Sequence, residues 1–283
     1  MDFKFSEKIE ELNLFSLTSF NNLLHELGWI PSEWMEYWHR NKGDSLASAL
    51  WASGTKKDWI WGLGLPLLSD IKGHYLSNQN RPIFGISALP GCGKTSLGKW
   101  IEASAKELNL IIKVLSLDDF YLPGAELDRA MRGNPWNVPR ALPGSHSMEL
   151  LEKTLNKWRT TGILEAPQFD KSLRNGSGDR SGWISSRPDV LVLEGWFLGC
   201  KPVKYSLNEN NDILNPPLRE SERKYREKVQ EILHGYFPVW NNLNRIWHIK
   251  TNKFTSTCQW KEQQENEMLK ERGAALAGDS LVS

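Results

Sequence analysis

The residues with the most specific chemistry are Ala88-Leu-Pro-Gly-Cys-Gly-Lys-Thr95. Their spacing matches the loop that cradles nucleotide phosphates, with Ala88 where that pattern opens on glycine. The exchange costs little, because that position sits at a strand end. Gly91 and Gly93 let backbone N–H groups turn inward around phosphate oxygens, where a side chain would obstruct. A helix beginning near Lys94 points its positive end at the same anions. Lys94 is placed to reach the β- and γ-phosphates, and the Thr95 hydroxyl to ligate Mg²⁺. The expected nucleotide contacts therefore run through Ala88, Pro90, Gly91, Cys92, Gly93, Lys94, Thr95 and Ser96, with ATP and Mg²⁺ as the implied cofactors. Cys92 lies where a helix N-terminus favours thiolate. It reads as a permissive loop position, with a redox role as the other reading.

Two further runs end in carboxylates. Leu117-Asp118-Asp119-Phe120-Tyr121 follows an apolar stretch, and a carboxylate at such a strand end can accept the proton of an attacking hydroxyl. Adjacent residues of an extended chain point to opposite sides. One of the pair is then the base, Asp118, with Asp119 as helper or cap. Val190-Leu-Val-Leu-Glu194-Gly195-Trp196 is an apolar strand closing on an acid. Glu194 is expected to hold Mg²⁺ directly or through water, and Gly195 to allow close backbone approach.

The elements that must carry these groups follow from periodicity. Ile83–Ser87 reads as a strand. Leu97, Trp100, Ile101, Ala105 and Leu108 follow at helical spacing. Leu110–Leu117, Val190–Leu193 and Arg245–Lys250 read as further strands. Residues 147–160, Glu220–Leu233 and 258–271 read as helices. Strands alternating with helices imply a three-layer α/β fold with a mainly parallel sheet. Two stretches, 120–146 and 166–187, read as long irregular loops of the kind that carry function. Residues 1–78 read as a helical N-terminal segment, joined at Ser77–Pro82 to a core over 79–283. Pro31 opens one of its helices, with Trp34, Met35 and Trp38 on one face. The chain has 14 tryptophans, six of them between Trp29 and Trp61. They read as a packing core, with a binding surface as the alternative.

A formal net charge of +1 supplies no general attraction to nucleic acid or anionic membrane. The longest apolar run, Trp59 to Leu68, is too short to span a bilayer. Three scattered cysteines form neither a metal spacing nor a disulfide framework. The first residues lack the plan of a signal or transit peptide. A cytoplasmic protein is the expectation.

The runs SLDDFYLP, RGNPWNVPRALPGSHS, PQFDKSLRNGSGDR and VLVLEGWFLGCKP together resemble D-glycerate 3-kinase. That family is grouped with uridine kinase, pantothenate kinase and phosphoribulokinase among P-loop kinases. The resemblance runs from about Pro82 to the last predicted helix. It implies transfer of the ATP γ-phosphate to the small molecule D-glycerate, giving 3-phosphoglycerate. Such a substrate needs cations for its carboxylate, and the two long loops offer Arg140, His146, Lys171, Arg174 and Arg180. Arg180 and Lys171 are expected near the acceptor, with Asp170 and His146 orienting it and Tyr121 lining the same pocket. Lys94, Asp118 and Arg180 are the expected catalytic set.

The resemblance also places residues 218–233 as a lid, whose Arg219, Arg223 and Arg226 stabilise the transferring phosphoryl group. The plainer reading is a solvated helix with Glu222–Arg226 and Glu220–Lys224 pairs. Lys261 stands where the family has arginine in its WRxQQE stretch. The chain ends at Ser283, short of the family's last helix and strand, so the fourth strand is expected at the sheet edge. Two alternatives stay open: another small hydroxylated acceptor (a nucleoside, pantothenate or a sugar phosphate), or an ATP-binding module with impaired catalysis.

Overall fold

The computed structural model describes residues 16–50, 58–77, 81–203 and 217–250, together with 255 and 257. The sheet is built on two strands without a polar face. All residues of β1 (Ile83–Ala88) and β5 (Val190–Gly195) are buried, as expected where helices cover both sides of a parallel sheet. β2 (Ile112–Ser116) and β6 (Arg245–Ile249) flank them, in the order β2-β5-β1-β6. All three pairings are parallel. Among the described residues β6 ends the sheet on the side of β1.

Alternate residues of each strand enter two cores. Phe84, Ile86, Ile112, Val190 and Val192 face one way. There they meet α4 (Lys94–Glu107), which follows the phosphate loop, and three N-terminal helices: α1 (Leu17–Glu26), α2 (Pro31–Arg40) and α3 (Leu65–Ser77). Ile83, Leu115, Leu191 and Leu193 face the other way. That side is covered by α6 (Met148–Thr161) and by the end of α7 (Glu220–Leu233) with the short α8 (Phe237–Trp240). The result is the expected three-layer α/β architecture.

Pro31 does open α2, and Trp34, Met35 and Trp38 form its buried face. Both indole N–H groups donate to Ser69 Oγ at 2.8 Å, and that hydroxyl donates in turn to the Leu65 carbonyl at 2.8 Å. Trp100 of α4 lies against Gly64, where a Cβ would stand 2.7 Å from the ring. The Trp59–Leu68 run enters the same core through a π-helical turn, Ile60–Gly64. Asp70 on α3 reaches across to the sheet edge, accepting from Trp247 Nε1 at 2.8 Å and facing Arg245 at 3.4 Å. It thus tethers β6 to the helical layer.

Three local expectations are corrected. Residues 166–187 are not irregular: β3 (Leu164–Asp170) and β4 (Asp179–Ser186) form an antiparallel hairpin. Its turn uses left-handed backbone at Arg174, Asn175, Gly176 and Gly178, and this glycine-rich turn had masked the strands on either side. The 120–146 stretch contains α5 (Gly124–Met131) and closes in a two-sided bridge between Tyr121 and His146. Asp118 and Asp119 lie in a 3₁₀ turn, Leu117–Phe120, and not on extended chain. The 258–271 helix, Lys261, the earliest N-terminal residues and the chain end fall outside the described residues. No helix among the described residues is long and apolar enough to cross a membrane.

Candidate active site

The phosphate loop leaves β1 and turns through Gly91 (φ 84°) and Gly93 (φ 75°), both in the left-handed region that glycine alone enters freely. Gly93 is the N-cap of α4, and a Cβ there would meet nothing within 4 Å. The mouth of the cradle is therefore open, and the glycine is required by backbone shape. Thr95 and Ser96 are exposed in the first turn of α4. Cys92 is half-buried in the loop, its N–H donating to the Leu89 carbonyl at 3.3 Å. Lys94 Nζ folds over the loop, donating to the carbonyls of Ala88 (2.9 Å) and Leu89 (3.2 Å).

Strand register brings the acids to this loop. Glu194 pairs with Ile86 of β1 and Ser116 of β2, at the carboxyl end of the sheet, where ligands of open α/β sheets bind. Burial pushes its carboxyl up, against the opposing pull of Lys94 and a hydrogen bond from Ser116. Burial likewise pushes Lys94 down, with Glu194 the largest opposing charge. A lysine and a glutamate facing each other here fit a site that exchanges its partners for phosphate and a cation.

Asp118 has both carboxylate oxygens engaged. Tyr121 donates its hydroxyl to Oδ1 at 2.8 Å, and Lys171 Nζ donates to Oδ2 at 2.6 Å. Burial pushes this carboxyl up, but Lys171 and the Tyr121 hydroxyl outweigh it and hold Asp118 below the ordinary carboxylate range. It is therefore ionised at neutral pH. Asp119 differs. Its Oδ1 accepts the Phe169 N–H at 3.3 Å, so it fastens β3, and burial raises its carboxyl.

His146 is buried opposite Tyr121, its ring stacked on the phenol at 4.6 Å between centroids. Burial pushes its imidazole down to about 4, with Asp118 opposing, so it is neutral at physiological pH. Nδ1 lies 3.0 Å from the Tyr236 hydroxyl, and Nε2 has no partner among the described residues.

The remaining candidates divide. Arg140 donates to the carbonyls of Gly176 (2.6 Å) and Ser177 (3.1 Å), clasping the hairpin turn. Arg174 pairs with Asp128 of α5. Asp170 accepts from Ser172 N (2.8 Å) and Oγ (2.6 Å) within the turn. Arg180 stands opposite Phe169 on β4, half-buried, and its Nε is buried with no partner among the described residues. The structure thus brings Lys94, Asp118, Tyr121, His146, Lys171 and Glu194 together, while Arg140, Arg174 and Asp170 hold the hairpin that delivers Lys171. On α7, Glu220 pairs with Lys224 at 2.7 Å as expected. Glu222 pairs with Arg219 at 2.9 Å, closing a capping box, in place of the expected pair with Arg226.

Two participants were not singled out from the sequence. Ser116 bonds both Glu194 and the Asp118 N–H (3.3 Å). Its position two residues before an aspartate at a strand end was the available signal. Tyr236 had none, lying 90 residues from His146.

Among the described residues no cluster of three His, Cys, Asp or Glu side chains is arranged to hold a metal. Magnesium does not require such a cluster, since it keeps several waters and binds through one or two protein oxygens plus substrate phosphates. One acid at the strand end and the exposed Thr95 hydroxyl match that need.

The chain is 30% identical over 212 residues to the chloroplastic D-glycerate 3-kinase of Arabidopsis thaliana, covering 70% of this chain and 44% of the plant protein. It is 29% identical over 178 residues to a probable ATP-dependent kinase of Saccharomyces cerevisiae, covering 59% of this chain and 60% of the yeast protein. It therefore spans less than two thirds of either relative. The solved D-glycerate 3-kinase of Cryptococcus neoformans superposes with a TM-score of 0.57 at 24% identity, over 73% of this chain and 81% of that one. This is a P-loop kinase fold. No protein-family model matches the chain. The resemblance read from the LDDFY, GSH, FDKS and LEGW runs holds in both sequence and fold.

Proposed function

We propose that this P-loop kinase phosphorylates D-glycerate, with ATP as donor and 3-phosphoglycerate as product. The observation that carries the reading is Asp118. It is ionised beside the phosphate loop, and both its oxygens are hydrogen-bonded by groups that a hydroxylated acceptor can displace or join. Gly91, Gly93 and Lys94 would bind the triphosphate, and α4 directs its N-terminus at it. Magnesium, held by Thr95 and Glu194, would neutralise charge on the transferring phosphoryl group. Asp118 would accept the proton of the attacking hydroxyl. Lys171, seated on Asp118, and Arg180, with its unpartnered Nε, are suited to the acceptor's carboxylate. An arginine of α7 would close over the phosphates. The chain's similarity to the D-glycerate 3-kinases of Arabidopsis thaliana and Cryptococcus neoformans supports this reading. The free Cys92 and Cys200 suit a reducing compartment such as the cytoplasm.

The test is coupled ADP release with Mg·ATP, with and without D-glycerate, using uridine and ribulose 5-phosphate as comparators. Release that depends on glycerate and saturates at lower concentration than with either comparator is expected. Saturation by a comparator alone would overturn the acceptor. ATP binding without turnover on any acceptor would make the protein a nucleotide-binding module.

A further inference from the structure

His146 and Tyr236 form a unit that the proposed reaction has not yet used. Tyr236 ends the 3₁₀ turn His234–Tyr236 between α7 and α8, and it is almost wholly buried. Its oxygen accepts the Gly144 N–H at 2.8 Å. A phenol oxygen has two acceptor positions and one hydrogen. The Gly144 amide takes one acceptor position, and the acceptor within reach of the phenol's hydrogen is His146 Nδ1 at 3.0 Å. The other neighbour of Nδ1 is the Ser145 hydroxyl at 3.4 Å, whose hydrogen already goes to the Leu142 carbonyl at 2.6 Å. Ser145 therefore gives Nδ1 no hydrogen, and Nδ1 accepting from Tyr236 is the arrangement that pairs the phenol's hydrogen. In a neutral imidazole the proton then sits on Nε2.

That Nε2–H is buried with no partner among the described residues, a costly state for a donor. The ring cannot easily turn to relieve it. It is stacked on Tyr121 at 4.6 Å and walled by Phe197 at 5.7 Å and by Tyr236 itself at 5.9 Å. The same Tyr121 hydroxyl binds Asp118, whose charge acts on the imidazole. The imidazole that carries the unpaired donor is thus one ring away from Asp118 and within its field.

We infer that His146 is held by Tyr236 as the Nε2–H tautomer, and that this N–H is the neutral donor that orients the acceptor beside Asp118. The inference rests on the kinase reading for the identity of the acceptor, but not for the tautomer. His146 is a specificity residue in contact with the acceptor. Tyr236 is a positioning residue acting through it. A neutral donor suits a hydroxyl or carboxylate oxygen without adding a charge that would compete with Lys171 for Asp118.

Two measurements test it. The first is the ¹⁵N–¹H correlation spectrum of His146 in the wild type and in Tyr236→Phe. Nε2–H is expected in the wild type, with a mixed or Nδ1–H population in the variant. Nδ1–H in the wild type, or one tautomer unmoved by Tyr236→Phe, overturns the lock. The second is the KM for D-glycerate beside that for ATP. Tyr236→Phe and His146→Phe are expected to raise the acceptor KM about tenfold and leave the ATP KM unchanged. His146→Gln, whose amide can place an N–H near the Nε2 position, is expected to recover part of the loss. An acceptor KM unmoved by either phenylalanine, or ATP and acceptor KM rising together, overturns the orienting role. If the wild type turns over only a comparator, the D-glycerate reading fails while the first measurement still decides the lock. The KM series then uses that comparator.

Discussion

At the residue scale the site turns on how one carboxylate is kept charged and ready. Asp118 would ionise poorly if burial acted alone, and Lys171 with Tyr121 reverses that. Asp118→Asn keeps the shape but removes the base. Turnover is expected to fall about 10²- to 10⁴-fold with the ATP KM retained, measured by ADP release; unchanged turnover would remove Asp118 from the mechanism. Lys171→Met should shift the titration itself. Without the cation the Asp118 carboxyl rises, so it is ionised only at higher pH. The acid limb of the kcat/KM profile then moves upward in pH. A limb that stays in place would mean that Asp118 does not set it.

At the element scale the hairpin β3–β4 is the device that delivers Lys171. Its turn is held from below by Arg140, by the Arg174–Asp128 pair, and by Asp179, which accepts the Gly124 N–H at 2.9 Å. Two glycines of the turn allow a controlled comparison. Gly178 has φ 82°, and a Cβ there would lie 2.3 Å from the Phe169 ring; Gly176 has φ 88° with nothing within 4 Å. Gly178→Ala must displace the turn, whereas Gly176→Ala carries only backbone strain of roughly 1 kcal/mol. Gly178→Ala is therefore expected to raise the acceptor KM several-fold more than Gly176→Ala, with the ATP KM unmoved in both. Equal effects would mean that the turn does not position the acceptor site. This element was only partly legible in sequence. The FDKS and GDR runs marked the region as chemical, but the glycines between them broke the alternation that signals paired strands.

At the scale of the whole molecule, the N-terminal helices share one core with the phosphate-loop helix and the sheet. Ser69 joins them by accepting two buried indole N–H groups. Ser69→Ala leaves both unpaired and should cost on the order of 2–3 kcal/mol, read as a lowered urea midpoint at unchanged slope. A midpoint within error of wild type would mean that the indoles find other partners. The amino-acid sequence by itself determined whatever depends on near neighbours in the chain. The phosphate loop, the buried strands before the acids, the Pro31 helix start and the bounds of α7 are all set by local backbone preference and apolar period. Tertiary structure decided what depends on residues far apart. Asp118 and Asp119 diverge because a 3₁₀ turn, with Ser116 capping it, sends one to Lys171 and the other to the Phe169 amide. Arg140 and Arg174 became supports for the hairpin, because carbonyls and an acid of distant segments reached them first. His146 acquired its hydrogen-bonding direction from Tyr236, which only the packing of the α7–α8 turn beneath the bridge to Tyr121 brings within 3.0 Å. Such partners are chosen by the closing of the core, and no local pattern encodes a contact across 90 residues.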